Sequence, residues 1–275
     1  MPMIEADDGT AIYVKEWGDG PAVVLIHGWP LSADSWDDQA MALAEAGNRV
    51  ITYDRRGFGR SDQPWDGYDY DTLADDLAAV IEGCDLENPA LVGFSMGGGE
   101  VARYLGREGE ARKVALISSV VPFLLHTNSH EEGVPGSVFD GMKSAIRADR
   151  AGFLKGFLRD FYGMDGPAMG SGGPVSEAQI EWSLQIGLQA GLKGTLDCVD
   201  SFSATDFRPD LEYFTMPTLL IHGTGDRIVP IDISSRAAAK AIKTARLIEY
   251  EGAPHGLLAS HKAQVSQDLI DFLDS

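Results

Sequence analysis

The stretch Gly93-Phe94-Ser95-Met96-Gly97 is where this chain's chemistry concentrates. It follows an apolar run and precedes a helical pattern, which is the strand–turn–helix elbow that presents a nucleophilic serine. Glycines suit its flanks because the turn is strained and neighbouring backbones pass close. A serine in an ordinary β–α turn would instead only cap the helix. A serine hydroxyl also needs a base to take its proton, and the chain offers His27, His126, His130, His222, His255 and His261. His27 and His222 end apolar runs and read as buried, hydrogen-bonded side chains. His126 and His130 sit in a polar stretch with Asn128 and Glu131, and His261 falls inside the last helical pattern. His255, in Gly252-Ala-Pro-His-Gly256, follows the last strand-like run. In a parallel sheet that loop shares the carboxyl edge with Ser95, so His255 is the expected base. Its imidazole needs a carboxylate to hold the tautomer. Asp226 follows the run ending at His222, and the order Ser95, Asp226, His255 fits a Ser…Asp…His triad. Asp206, Asp210 and Asp232 remain as alternatives, the last expected at a helix start where a carboxylate is ordinary. Acyl transfer also needs donors for an oxyanion. Met96, just after the serine, supplies one N–H. The loop His27-Gly-Trp-Pro30 supplies the other from Trp29, because Pro30 has no N–H.

The elements that must position these groups follow from periodicity. Short unbroken apolar runs such as Pro21–His27, Arg49–Asp54, Ala90–Phe94, Val114–Ile117, Pro217–His222 and Ala245–Tyr250 predict strands buried on both faces. Helical stripes cover Asp34–Ala46, Tyr70–Cys84, Gly97–Leu105, Ile231–Ile242 and Leu257–Leu273. The alternation predicts an α/β fold with a mostly parallel sheet and helices on both faces. Two β segments, Met3–Ala6 and Thr10–Trp17, precede it. The rhythm breaks between 122 and 216, where helical stripes predominate. Phe153, Phe157 and Phe161 share one helix face, and Gly170-Ser-Gly-Gly-Pro174 reads as a flexible break. The expected organisation is a core of residues 1–121 and 217–275 with a helical cap insertion at 122–216.

His27-Gly-Trp-Pro30, Tyr53-Asp-Arg-Arg-Gly-Phe-Gly-Arg-Ser-Asp62, Gly93-Phe-Ser-Met-Gly-Gly-Gly99, Ala204-Thr-Asp-Phe-Arg-Pro-Asp210, Asp226-Arg-Ile-Val-Pro230 and Gly252-Ala-Pro-His-Gly256 together resemble the α/β-hydrolase family. The resemblance is to its branch of bacterial aryl esterases and cofactor-free haloperoxidases, or perhydrolases, and it covers essentially the whole chain. It implies the α/β-hydrolase fold, the triad Ser95, Asp226 and His255, and an oxyanion hole from Trp29 and Met96. It further implies no metal, no cofactor, and a pocket lined by Phe123, Phe139, Phe153, Phe157 and Ile228. Pro30, beside the oxyanion-hole Trp29, is expected in the substrate pocket as well and resembles the haloperoxidase branch. Proline restricts its own backbone and that of residue 29, which would re-aim the Trp29 carbonyl towards peroxide. Leu257 stands where some relatives carry Phe. Relatives also imply a trimer or a dimer of trimers.

The 275 residues hold 22 Lys and Arg against 42 Asp and Glu, a formal charge of −20. That argues against nucleic acid and anionic lipid as partners, since both are held by clustered basic side chains. Apolar runs are strand-length and too short to span a bilayer. The acidic N-terminus lacks the pattern of a signal peptide. Cys84 and Cys198, far apart, form neither a metal motif nor a disulfide framework, so a cytoplasmic protein is expected. The expected function is a serine hydrolase of short-chain acyl esters, working through an acyl-enzyme, with perhydrolase activity and a small acyl substrate as partner. Lactone, γ-lactam or C–C bond hydrolysis is the alternative chemistry, and a non-catalytic binding module on the same scaffold is the other class.

Overall fold

The computed structural model describes residues 3–164 and 175–275. The apolar runs form its sheet: β1 (Met3–Glu5), β2 (Ala11–Trp17), β3 (Ala22–Ile26), β4 (Arg49–Tyr53), β5 (Ala90–Phe94), β6 (Lys113–Ile117), β7 (Thr218–Gly223) and β8 (Ala245–Tyr250). Helices alternate with them: α1 (Asp37–Glu45), α2 (Tyr70–Gly83), α3 (Met96–Gly106), α4 (Gly136–Phe161), α5 (Glu177–Gln189), α6 (Leu192–Ala204), α7 (Ser235–Ala241), α8 (Leu257–Ser260) and α9 (Lys262–Asp274).

The strands lie in the order β1-β2-β4-β3-β5-β6-β7-β8. Only the pairings β1–β2 and β2–β4 are antiparallel among the described residues; from β4 to β8 the ladder is parallel. Alternate residues of the central strands supply two cores. Val24, Ile26, Leu91 and Leu116 pack against Leu73 and Leu77 of α2 and Val101 and Leu105 of α3. Val23, Leu25, Val92 and Ala115 pack on the other face, against Ala40 and Leu43 of α1 and Val265 and Leu269 of α9. Both faces are thus covered, which is why these strands carry no polar alternation. The chain reverses direction of progress at β3, which pairs with β4 on one side and β5 on the other. Such a switch point opens a crevice at the carboxyl ends of the strands.

Between β6 and β7 the chain forms α4, α5 and α6. Asp149 leaves helical geometry within α4 (φ −157°, ψ 90°). Its carboxylate accepts from Gly152 N at 2.9 Å and so caps the second stretch of α4, which carries Phe153, Phe157 and Phe161. The segment Gly170–Pro174 lies outside the described residues.

Some expected boundaries need correction. The first helix opens with a 3-10 turn over Ala33–Trp36. α7 starts at Ser235, not Ile231: Ser234 has φ −116° and ψ −103°, and its hydroxyl bonds Pro230 O at 2.8 Å. Asp232 therefore precedes the helix instead of opening it. The last helix is two, because His261 breaks from helical geometry (φ −128°, ψ 31°). Among the described residues, no helix is long and apolar enough to cross a membrane.

Candidate active site

Ser95 ends β5 and opens α3 with φ 53°, a left-handed backbone that costs a non-glycine residue about 1–3 kcal/mol. The turn is pinned by Ser95 N donating to Ile117 O at 2.9 Å. Its glycines are demanded by space. A Cβ at Gly93 would lie 2.6 Å from Gly98 Cα, and one at Gly97 would lie 2.4 Å from Ile26 O.

His255 follows β8, and Asp226 follows β7. Their side chains meet Ser95 at the carboxyl edge of the sheet. His255 Nε2 is 2.9 Å from Ser95 Oγ, and His255 Nδ1 is 2.6 Å from Asp226 Oδ2. The imidazole is buried between Phe94 and Phe161, with ring centroids 5.3 and 4.8 Å away. Asp226 Oδ1 accepts from the N–H groups of Ile228 (2.9 Å) and Val229 (2.8 Å). Burial alone would raise the Asp226 carboxyl. The facing His255 and hydrogen bonds from His222 and His255 outweigh it and hold the group well below the usual carboxylate range. An ionised Asp226 keeps the proton on His255 Nδ1, which leaves Nε2 free to accept from Ser95.

Two backbone segments border the serine. Met96 is the first residue of α3, so its N–H has no acceptor within the helix. The loop after β3 passes against the elbow: a Cβ at Gly28 would sit 2.9 Å from Ser95 Cβ. Trp29 follows directly. Its indole N–H donates to Thr195 O on α6 at 3.1 Å, and its ring meets Phe157 (5.1 Å) and Phe202 (5.8 Å).

A cavity of about 680 Å³ opens over the serine. Ser95, His255 and Trp29 line it, together with Phe139, Phe153, Phe157 and Ile228. Two expected lining residues are elsewhere. Phe123 packs on the His130 ring at 5.2 Å and under the Arg208 guanidinium at 5.1 Å, outside the cavity wall. Pro30 is buried near Gly187 of α5 and is not among the residues lining the cavity. At the rim, Arg227 faces Asp160 at 3.9 Å, an exposed contact with no sequence signal beyond its place after Asp226.

The remaining candidates separate cleanly. His126 bonds Glu131 O and His130 bonds Leu125 O, both in the loop before α4. Asp206 pairs with Arg208, Asp210 with Arg103, and Asp232 with Arg236. His27 begins the loop after β3, where its Nε2 accepts from Arg55 N at 3.0 Å and its carbonyl accepts from Arg55 Nη2 at 2.5 Å. Arg55 is wholly buried and paired with Glu100 of α3, which also accepts from Tyr53 OH at 2.6 Å. The Tyr53–Asp62 motif is thus a buttress. Arg55 ties the loop after β3 to α3, and Asp54 accepts from Ala33 N at 2.9 Å and Arg60 Nε at 2.7 Å. Spacing alone could not reveal this, because a buried arginine and glutamate look like surface charges in a sequence. His222, expected to be only a core residue, touches Asp226 at 3.0 Å.

This geometry has close counterparts. Residues 21–262 match the family model described as the alpha/beta hydrolase fold. A bromoperoxidase from Bacillus anthracis superimposes with a TM-score of 0.93 at 44% identity, covering 100% of this chain and 99% of that one. A non-heme chloroperoxidase from Kitasatospora aureofaciens is 41% identical over 100% of both chains. A bifunctional esterase/perhydrolase from Acinetobacter calcoaceticus is 39% identical, again over 100% of both. A serine elbow, a histidine loop and an acid turn meeting at the carboxyl edge of a mostly parallel sheet, on a chain matched almost end to end, make this protein a member of the α/β-hydrolase family.

Proposed function

We propose that this protein is a serine esterase of short-chain acyl esters with perhydrolase capacity. One observation carries the reading: Ser95 Oγ, His255 and Asp226 stand in line at 2.9 and 2.6 Å beneath an apolar cavity. His255 Nε2 takes the Ser95 proton as Oγ attacks the acyl carbon. The N–H groups of Met96 and Trp29 receive the oxyanion, each donor contributing about 3–4 kcal/mol to the transition state. His255 then gives its proton to the leaving alcohol, and an acyl-enzyme remains. Water attacking this intermediate yields the carboxylic acid. Hydrogen peroxide attacking it yields a peracid, which oxidises bromide to hypobromous acid outside the pocket and returns to the carboxylic acid. The bromoperoxidase, chloroperoxidase and esterase/perhydrolase names of full-length relatives support both branches. In this reading α4–α6 act as a cap that keeps the acyl chain short. Cys84 and Cys198 are buried free thiols, and burial pushes the Cys198 thiol up to about 12. Such inert thiols fit a reducing, cytoplasmic setting.

The test measures p-nitrophenyl acetate hydrolysis and peroxide-dependent bromination in acetate for the wild type and for Ser95→Ala. Both activities should fall together, by about a thousandfold or more. A Ser95→Ala protein that retains either one refutes the shared acyl-enzyme.

A further inference from the structure

The catalytic carboxylate has a second imidazole on it. His222, at the end of β7, is fully buried, and its Nε2 lies 3.0 Å from both Asp226 Oδ2 and Val229 O. On the opposite side of the ring, Nδ1 lies 2.7 Å from Ser235 Oγ at the start of α7. The tautomer follows from the partners. A carbonyl and an ionised carboxylate only accept, so Nε2 carries the proton; it is hydrogen-bonded to Val229 O and lies in 3.0 Å contact with Asp226 Oδ2. Nδ1 then presents its lone pair to the Ser235 hydroxyl. Ser235, His222, Asp226, His255 and Ser95 form one continuous line of polar contacts.

We propose that His222 is a positioning residue for the esterase reaction: it holds Asp226 Oδ2 in register with His255, and Ser235 holds His222 in the donating tautomer. The inference rests on the esterase reading. Oδ1 is already fixed by two backbone N–H groups from the turn. Oδ2 has only side chains to aim it, and His255 is the one that must swing and titrate during turnover. A second N–H on Oδ2 keeps its lone pair directed at His255 Nδ1 throughout. It also lowers the proton affinity of that oxygen, so the proton in the 2.6 Å bond stays on His255. A neutral donor does this without the repulsion that a lysine or arginine would exert on the imidazolium formed in the transition state. His222 does not itself line the cavity; it meets the lining only through the Val229 carbonyl.

His222→Met removes the donor and keeps apolar bulk. His222→Gln keeps a terminal N–H near the place of Nε2. In the Met variant kcat for p-nitrophenyl acetate should fall about tenfold or more, with KM unchanged, as for a lost hydrogen bond to a charged group. The low-field proton resonance of the His255–Asp226 bond should move. The Gln variant should recover kcat to within about threefold of wild type and restore the resonance. Ser235→Ala, which leaves the ring in place, should shift the same resonance and guards against a Met variant that does not fold. An unmoved resonance in Ser235→Ala and a folded Met variant, or equal impairment of Met and Gln, overturns the proposal. The resonance is read without substrate. It therefore tests His222 separately from the esterase reading, which stands or falls with Ser95→Ala.

Discussion

Phe157 is the cavity residue whose removal should be easiest to read. Its ring stands edge-on to Trp29 at 5.1 Å and stacks on Phe153 at 5.9 Å, so it forms the wall beside the loop after β3. Phe157→Ala opens that wall while leaving Ser95, His255 and Asp226 untouched. Each methylene that fits a newly opened apolar space contributes about 0.8 kcal/mol, roughly fourfold in kcat/KM. Butyrate exceeds acetate by two methylenes, so the butyrate-to-acetate ratio should rise by about 15-fold over wild type. Phe157 is only half-buried, so the stability cost should stay below the roughly 3–5 kcal/mol of a fully buried phenylalanine. The assay compares kcat/KM for p-nitrophenyl acetate and butyrate, with Phe123→Ala as the control, because Phe123 lies outside the cavity. A folded Phe157→Ala enzyme whose ratio changes less than about twofold would show that this ring does not bound the acyl chain. A shift in Phe123→Ala as large as in Phe157→Ala would show that the cavity is not the acyl site.

Arg55→Met should cost about 3–5 kcal/mol, because Glu100 is left charged and buried with Tyr53 as its main partner. In a chain of this size that lowers Tm by roughly 6–20 °C, and adding Glu100→Gln should recover at least half; a single variant that melts like wild type refutes the buttress. The Asp8 carboxyl is held at about 2 by its hydrogen bond from Arg56, against an ordinary value of 3.8. Its folded-state value is depressed, so its stabilisation is full above 3.8 and is lost as pH falls through about 2. Asp8 is half-exposed and screened, so Asp8→Asn should cost only about 0.5–1 kcal/mol near neutral pH, a gap that closes in urea unfolding as pH falls towards 2; a gap of constant size refutes the assignment.

The fold and the three central residues were legible because each announces itself locally. Ser95, Asp226 and His255 all come directly after apolar runs, and parallel strands send such positions to one edge. Spacing put Phe153 and Phe157 on one helix face, while their place in the cavity wall was implied only by the resemblance to the family. Phe123 was not, because a loop aromatic takes its neighbours from tertiary packing, here His130 and Arg208. His222 was read as core and is core; nothing in a strand-end histidine announces that the following turn will carry Asp226 back to it. Arg55 and Glu100 were opaque for a related reason, since pairing across 45 positions leaves no periodic trace.

The Trp29 indole reaches Thr195 through a main-chain oxygen. Every amino acid carries that atom, so this tether between the loop after β3 and α6 places no demand of its own on the side chain at position 195. The proposed cap can therefore change residue at that position while the loop after β3 keeps its anchorage. A foreign segment grafted in place of α6 would keep this tether wherever its backbone follows the same path.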